Sequence, residues 1–184
     1  MNIIVTGFEP FGGASVNASW ESVKALTGVR TVLLPVSFAR AADAARKIVA
    51  GAPDAVICVG EAGGRKAISV ERVAVNLMDA SIPDNDGAQP RDTPLKPNGP
   101  AAYFSTLPTR QMVERLRAAG LAAELSYTAG AYVCNATFYT LMDAVAESER
   151  AIPAGFIHVP ARDMPADEIT RALRIAVECL EESR

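Results

Sequence analysis

The sequence predicts an α/β fold, because patterns of buried strands and amphipathic helices alternate along its first third. Three strand patterns are separated by two helical ones, and the third strand is apolar without a break, as in strands covered on both faces. The strand patterns cover residues 2–6, 31–34 and 54–59. Asn17 or Ser19 can cap the first helix, which reaches Leu26, and Ser37 can cap the second, over residues 38–50.

The rest of the chain continues this alternation around a long irregular segment. Residues 68–76 form a further predicted strand, whereas the proline-rich segment 83–99 has no period and is expected to be a surface or interface loop. The remaining predicted strands cover residues 122–126 and 155–158, and the remaining predicted helices cover residues 100–105, 109–119, 134–145 and a final segment from Pro165 through Leu180.

Composition limits the class of protein. The 184 residues are 49% hydrophobic and carry a net charge of −3, so one compact domain over residues 1–184 is expected. No basic cluster indicates nucleic acid or a membrane surface as a partner, and no apolar run is long enough to span a bilayer. Three well-separated cysteines form neither a disulfide framework nor a metal motif. We therefore expect a soluble, intracellular protein.

A cysteine nucleophile is the chemistry that the residues indicate most directly. Cys134 opens a predicted helix, where unpaired backbone N–H groups favour a thiolate and can stabilise an oxyanion. His158, the only histidine, ends a predicted strand, and such ends line ligand clefts in α/β sheets. Together these features predict a thiol pKa lowered to between about 3.5 and 7.5. Taken alone, Cys134 is as well explained as a buried apolar residue, and Cys58 and Cys179 have core patterns.

The third member of a catalytic triad is not fixed by spacing. Such a group would orient the imidazole of His158 and fix its tautomer. Six carboxylates near predicted strand ends or loops are candidates: Glu9, Glu61, Glu71, Asp79, Asp84 and Asp86. The glycine-rich loops at residues 12–13 and 60–65 match neither a dinucleotide motif nor a P-loop. Phe8 and Phe11 lie in a glycine-bounded loop and form either a loop plug or a ligand wall.

Six motifs, in order along nearly the whole chain, carry a resemblance to a known family. They are TGFEPFGG (6–13), ERVAVN (71–76), IPDN (82–85), AAYFSTLP (101–108), VCN (133–135) and GFIHVP (155–160). With them the chain resembles the pyrrolidone-carboxyl peptidases, or type I pyroglutamyl peptidases. The resemblance implies a cytosolic (cytoplasmic) cysteine exopeptidase, an omega-peptidase that removes N-terminal pyroglutamyl residues from peptides. It also implies no metal or other cofactor, a single-domain three-layer α/β/α fold of the phosphorylase/hydrolase-like type, and a homo-oligomer, either a dimer or a tetramer.

The resemblance also assigns roles to residues. By motif, Cys134 would be the nucleophile and His158 its general base and then acid. Glu71 would be the orienting third member. Phe8 and Phe11 would sandwich the pyroglutamyl ring, and Asn17 would support their loop. Asn17 and Glu61 are the other two residues that would bind the substrate.

The chain departs from the family pattern near the expected site. Ser81 stands where the family usually has an arginine that is thought to support the oxyanion or the substrate, so weaker turnover is expected unless Arg65 or Arg72 substitutes. Glu61 stands where the family often has Gln or Leu, and a carboxylate would accept the lactam N–H but repel the lactam carbonyl. Ala18 replaces a usual proline, and the chain is shorter before Thr31 and after Pro160, where relatives have longer loops.

Two other functions stay open at this level. The substitution at Ser81 is compatible with a catalytically weak or inactive homologue that binds pyroglutamate or another lactam. A nucleoside phosphorylase or nucleosidase is the second alternative, because related α/β sheets with glycine-rich strand-end loops host that chemistry. The absence of a convincing phosphate loop disfavours it.

Overall fold

A six-stranded sheet forms the centre of the protein, which a computed structural model describes over residues 1–182. The strands along the chain are β1 (Ile3–Phe8), β2 (Arg30–Leu34), β3 (Ala55–Ala62), β4 (Ile68–Glu71), β5 (Val73–Val75), β6 (Ala102–Phe104), β7 (Ala123–Ser126) and β8 (Ala154–Pro160). The order in the sheet is β2-β1-β3-β8-β4-β7. All neighbours pair in parallel except β4 and β8, which are antiparallel. The predicted α/β class with a mostly parallel sheet is confirmed.

Five helices cover the two faces of this sheet. They are α1 (Ala18–Val23), α2 (Phe38–Ala50), α3 (Thr109–Ala118), α4 (Val133–Glu147) and α5 (Ala166–Glu182). Alternate side chains of a strand point to opposite faces. Ile3 and Val5 of β1 therefore pack in the core with α1, α3 and α5, whereas Ile4 packs in the core with α2 and α4. The result is a three-layer α/β/α arrangement.

Side-chain caps start the first two helices. Asn17 is the cap of α1, because its Oδ1 accepts a hydrogen bond from the Ser19 N–H at 3.0 Å. Ser37 caps α2 as predicted, with its Oγ accepting from the Arg40 N–H at 3.2 Å. Each cap satisfies a backbone donor that the helix itself cannot use. Helix α1 ends at Val23, a turn earlier than the sequence pattern predicts.

Two predicted elements differ in the structure. The single strand predicted over residues 68–76 is divided at Arg72 into β4, in the main sheet, and β5, which pairs with β6 in a separate two-stranded sheet. The helix predicted over residues 100–105 is wrong, because β6 lies there. Tyr103 of β6 explains the difference: its ring packs on Tyr139 and its hydroxyl donates to Asp143 at 2.7 Å, so tertiary contacts outweigh local helix propensity.

Residues 76–101 connect β5 to β6 and contain no helix or strand. The segment 83–99, which is predicted to be irregular, lies within this connection. Backbone and side-chain hydrogen bonds hold both ends of this connection in place. Met78 and Thr93 form an isolated antiparallel bridge. The Lys96 ammonium donates to both oxygens of Asp143 on α4, at 2.8 and 3.0 Å. These contacts hold a long loop against the face of the sheet that carries α2 and α4.

Residues of the predicted site lie at the carboxyl ends of the parallel strands, along one edge of the sheet. Strands β1, β3 and β8 are parallel, so their carboxyl ends, with Phe8, Glu61 and His158, lie along the same edge. Ligands of open α/β sheets bind at this edge. Among residues 1–182, no helix has the length and apolar content needed to cross a membrane.

Candidate active site

A small cavity of about 140 Å³ lies at the carboxyl edge of the sheet. Its walls bring together residues that are far apart in the sequence, including the Cys134 and His158 side chains. The lining is Phe8, Phe11, Asn17, Val36, Glu61, Ala129, Tyr132, Val133, Cys134 and His158. Most of these side chains are apolar, as is typical of a pocket that binds a small, uncharged group.

Cys134 is the second residue of α4, in agreement with the prediction that it opens a helix. The first backbone hydrogen bond of this helix runs from the Ala136 N–H to the Tyr132 carbonyl at 3.1 Å, so the N–H groups before Ala136 have no partner in the helix. Asn135 fixes the start of the helix, because its side chain bonds both backbone groups of Val75, at 2.9 Å each. The thiol is thus held beside unpaired backbone donors.

Gly60 shows how close the thiol lies to the histidine strand. A Cβ atom placed on Gly60 would be 2.8 Å from Cys134 Sγ, which is closer than atoms of this kind can approach. Gly60 is the register partner of His158 on the neighbouring parallel strand. Register partners on parallel strands point to the same face of the sheet, so Sγ lies on the face that carries His158, and both side chains line the cavity. The absence of a side chain at Gly60 provides the room.

His158 and Glu71 form a buried hydrogen bond. His158 Nδ1 lies 2.8 Å from Glu71 Oε1, and the two side chains are 5% and 0% exposed. Strand pairing explains the contact: His158 is opposite Ser69 in the β4–β8 ladder, and Glu71 lies two residues farther along β4, on the same face as Ser69. Because a carboxylate only accepts hydrogen bonds, Nδ1 carries the proton and Nε2 is the basic nitrogen.

Arg65 makes a second contact with the same carboxylate. Its Nη1 donates to Glu71 Oε1 at 2.7 Å, and its Nη2 donates to the Thr128 carbonyl at 2.7 Å. The other carboxylate oxygen, Glu71 Oε2, is buried and has no hydrogen-bond partner within residues 1–182. Both partners of Glu71 therefore share one oxygen.

Burial disfavours the charged forms of both the thiol and the imidazole. Burial lowers the pKa of His158, while its hydrogen bond to Glu71 acts in the opposite direction. Burial also raises the pKa of Cys134 to about 12, and the negative charge of Glu71 adds to this effect. The predicted lowering of the thiol pKa is thus wrong for the resting site. The thiol is partly buried in a mostly apolar cavity, and this desolvation outweighs the helix terminus.

Two phenylalanines and two polar residues also line the cavity. Phe8 packs on Phe156 and Phe11 on Tyr132, with ring centroids 6.3 and 6.1 Å apart. Asn17 donates from its side chain to the Glu9 carbonyl at 3.1 Å, which ties the phenylalanine loop to the start of α1. Glu61 Oε2 accepts from the Ala18 N–H at 2.7 Å. The cavity therefore has two aromatic walls and one carboxylate.

The other candidate carboxylates have contacts away from His158. Glu9 accepts from the Val36 N–H, and Asp84 accepts from the Phe38 N–H, so both fasten loops. The side chains of Asp86 and Asp79 pair with arginines, Arg40 at 2.7 Å and Arg91 at 3.8 Å respectively. Of the six candidates, Glu71 is the one hydrogen-bonded to His158 in the described part of the chain.

The structure does not bring Ser81 or Arg72 to the cavity wall. Ser81 is exposed on the long loop, where its carbonyl accepts from the Gln89 side chain at 3.0 Å. Arg72 donates from Nη1 to Thr109 Oγ1 at 3.0 Å. Neither residue is among those that line the 140 Å³ cavity. Of the three residues considered for oxyanion or substrate support, only Arg65 contacts the His158–Glu71 pair.

A wider cleft of about 940 Å³ adjoins the cavity and shares Phe11 and Glu61 with it. Its far side is formed by the loop between β8 and α5, which includes Arg162 and Met164. Within residues 1–182, no group of three or more His, Cys, Asp or Glu side chains is placed to hold a metal ion.

The profile of the pyroglutamyl peptidases matches residues 1–182. The chain belongs to this family. Pyrrolidone-carboxylate peptidase from Brevibacillus brevis is 45% identical over 96% of this chain and 91% of its own length. The enzyme of the same name from Gloeobacter violaceus is 50% identical, over 87% of this chain and 82% of its own length.

Solved pyroglutamyl peptidases have the same fold. The crystal structure of pyroglutamyl peptidase I from Bacillus amyloliquefaciens matches with a TM-score of 0.94 and 42% identity, covering 97% of this chain and 94% of that one. A mutant pyrrolidone carboxyl peptidase from Pyrococcus furiosus matches with a TM-score of 0.93 and 36% identity, covering all of both chains. This pyroglutamyl peptidase family member is thus similar to solved enzymes along its full described length.

Sequence reasoning missed several residues of this pyroglutamyl peptidase site. Tyr132 and Val36 line the cavity, and Tyr132 also donates from its hydroxyl to the Pro83 carbonyl at 3.0 Å. An aromatic residue two positions before the helix-start cysteine was a usable signal for Tyr132. No local pattern marks Val36, because it reaches the cavity only through the packing of the β2–α2 connection.

Proposed function

We propose that the chain is a cysteine exopeptidase that hydrolyses the bond after an N-terminal pyroglutamyl residue, with Cys134 as nucleophile, His158 as base and acid, and Glu71 as orienting residue. The observation that carries the proposal is the buried His158–Glu71 hydrogen bond of 2.8 Å beside the helix-start thiol. The family membership supplies the reaction class.

Acylation begins with an uncharged pair. As Cys134 Sγ attacks the carbonyl carbon after the lactam ring, His158 Nε2 takes the thiol proton. A general base is needed because a thiol with a pKa of about 12 is barely ionised at neutral pH. Glu71 stabilises the imidazolium that forms, and the backbone N–H groups at the start of α4 stabilise the oxyanion.

Collapse of the tetrahedral intermediate breaks the carbon–nitrogen bond. The His158 imidazolium gives its proton to the leaving amine, and a thioester to Cys134 remains. Water then attacks the thioester with His158 again acting as base, which releases pyroglutamate and restores the thiol. We place the departing peptide in the 940 Å³ cleft, since that cleft continues from the cavity at Phe11 and Glu61.

Selectivity follows from the small volume and low polarity of the cavity. A pyroglutamyl ring is neutral and compact, and Phe8 and Phe11 offer apolar surface to its carbons. Glu61 can accept the lactam N–H, with one of its oxygens already held by the Ala18 N–H. A carboxylate cannot donate to the lactam carbonyl.

The proposal is tested with two amides that differ only in ring closure, one pyroglutamyl and one carrying open-chain glutamate. We expect kcat/KM for the open-chain amide to be at least about 10³-fold lower, because its ammonium and carboxylate would have to be desolvated. Release of the amine is the measurement. Equal turnover of both amides, or saturable binding of pyroglutamate without any turnover, would contradict the proposal, and the latter outcome would indicate a lactam-binding protein.

The substitution Glu61→Gln is expected to lower KM for the pyroglutamyl amide by about threefold to tenfold, with little change in kcat. The amide NH₂ can donate to the lactam carbonyl that the carboxylate repels, a gain of about one hydrogen bond. Steady-state kinetics measure the effect. The matched control is Glu178→Gln, since Glu178 pairs with Arg115 and lines neither the cavity nor the cleft, so KM is expected to be unchanged. A higher KM for Glu61→Gln would mean that the carboxylate is needed as an acceptor.

Assembly and location complete the proposal. We place the protein in the cytoplasm as a single peptidase domain that forms a homo-oligomer, a dimer or a tetramer. A reducing compartment agrees with the cysteines, none of which forms a disulfide within the described chain. Large exposed apolar side chains supply candidate surface for subunit contacts, with Phe104 and Tyr127 the most exposed at 68% and 66%.

A further inference from the structure

Arg65 contacts both halves of the site although it does not line the cavity. One arm of its guanidinium donates to Glu71, and the other donates to the Thr128 carbonyl. Thr128 begins the segment that runs through Ala129 and Tyr132, two residues of the cavity wall, into Cys134. One side chain therefore joins the carboxylate behind His158 to the segment that precedes the thiol.

Glu71 requires a counter-charge. Its side chain is fully buried, and its Oε2 has no hydrogen-bond partner in residues 1–182. Burial of a carboxylate is costly unless a charged or hydrogen-bonding partner accompanies it. His158 does not supply that charge at rest, because burial lowers its pKa and disfavours the imidazolium. Arg65, 22% exposed and always protonated, is the cation that pairs with Glu71.

We propose that Arg65 is a positioning residue of the reaction, which pairs with the Glu71 carboxylate and keeps it aimed at His158 Nδ1 while it fixes the segment leading to Cys134. This inference rests on the proposed function. It gives Arg65 a role through Glu71, in place of the direct support of oxyanion or substrate that the family resemblance suggests for an arginine.

The charged surroundings make the inference testable by pH. The charged groups that act on His158 are Glu71 from β4 and Arg65 from the β3–β4 connection. The same two groups act on Cys134 of α4, together with Glu61 and Cys58 from β3. Arg65 disfavours a second positive charge on His158. When this cation is removed, the His158–Glu71 pair binds its proton more tightly, so the neutral imidazole that acts as base exists only at higher pH.

The first experiment is the pH profile of kcat/KM for the substitution Arg65→Met. We expect a loss of about 10–10³-fold at neutral pH and an acidic limb that moves up by about one pH unit. Arg65→Lys keeps the positive charge but cannot make both hydrogen bonds. It should therefore be more active than Arg65→Met, and the acidic limb of its pH profile should stay where it is in the parent. Arg115→Met is the matched control, because Arg115 also bridges two elements, by pairing with Glu178 and Glu182, but does so away from the site.

A second readout does not depend on activity. His158 is the only histidine, so its ring protons give one resolved NMR titration without assignment. We expect the pair to take up its proton about one pH unit higher in Arg65→Met than in the parent, with Arg115→Met unchanged. If Arg65→Met does not fold, Arg65→Gln replaces it.

The outcomes separate the two proposals. A parallel drop in kcat/KM at every pH together with an unchanged His158 titration would reduce Arg65 to a structural residue and overturn the inference. A parent protein that does not cleave pyroglutamyl amides would contradict the proposed function, and the NMR titration would still decide the role of Arg65.

Discussion

Replacement of Cys134 by alanine is expected to lower kcat/KM for a pyroglutamyl amide by at least about 10⁴-fold, because the covalent step loses its nucleophile. The remaining site can still bind the ring, so the affinity for pyroglutamate should change little. Cys134→Ser should be nearly as inactive, since a hydroxyl is a weaker nucleophile than a thiol and the site offers it the same base. Amine release and equilibrium binding of pyroglutamate are the two measurements.

The matched control for Cys134→Ala is Cys179→Ala. Cys179 is buried in the core formed by α1, α3 and α5, on the face of the sheet opposite α4, so its removal should alter stability more than turnover. Alkylation supplies a second control. Cys58 and Cys179 are both fully buried, hence Cys134 should be the thiol modified in the folded protein. Activity of Cys134→Ala within tenfold of the parent would exclude thiol catalysis.

Replacement of His158 by alanine is expected to lower kcat/KM by about 10⁴–10⁵-fold at pH 7. Because burial raises the pKa of Cys134 far above 7, only a very small fraction of the thiol is ionised at that pH, and without the imidazole only this fraction can react. Because the thiolate fraction rises tenfold per pH unit, kcat/KM of the variant should rise about tenfold per unit between about pH 6 and pH 10. The parent should be flat once His158 is neutral.

Added imidazole provides the control for His158→Ala. The cavity vacated by the ring should admit imidazole, which should restore part of the turnover in proportion to its neutral form. His158→Gln tests the packing separately, since it keeps a donor towards Glu71 but has no basic nitrogen. A profile for His158→Ala that stays flat with pH would mean that the resting thiol is already ionised, and the neutral-pair mechanism would then be wrong.

Local sequence signals fixed much of the fold because local physics dominates at those positions. Asn17 and Ser37 cap helices through hydrogen bonds to residues two and three positions ahead, so the sequence alone predicts Ser37 and reduces the first cap to Asn17 or Ser19. The unbroken apolar run of β3 indicates a strand covered on both faces, which is where it lies. Residues 68–76 and 100–105 were predicted differently, because the pairing of β5 with β6 and the packing of Tyr103 depend on distant residues.

For the candidate site, too, some residues can be predicted from local sequence and others only from the folded structure. A helix-start cysteine and a strand-end histidine are visible in the sequence, and the family motifs add Glu71 and the phenylalanine loop. Spacing could not choose among six carboxylates, since strands β4 and β8 become neighbours only in the folded sheet. The register that sets His158 opposite Ser69 is what brings Glu71 to the imidazole.

The sequence by itself therefore determined the α/β class and the reaction class indicated by the motifs, and it named Cys134 and His158 as the candidate thiol and imidazole. The tertiary structure decided their pKa values. Helix position predicts a thiolate, but desolvation in the apolar cavity and the charge of Glu71 raise the pKa of the Cys134 thiol. The structure also decided which cation pairs with the buried Glu71 carboxylate: Arg65 reaches it from a glycine-rich loop. Burial and distant charges depend on the whole fold, and a local sequence pattern does not contain them.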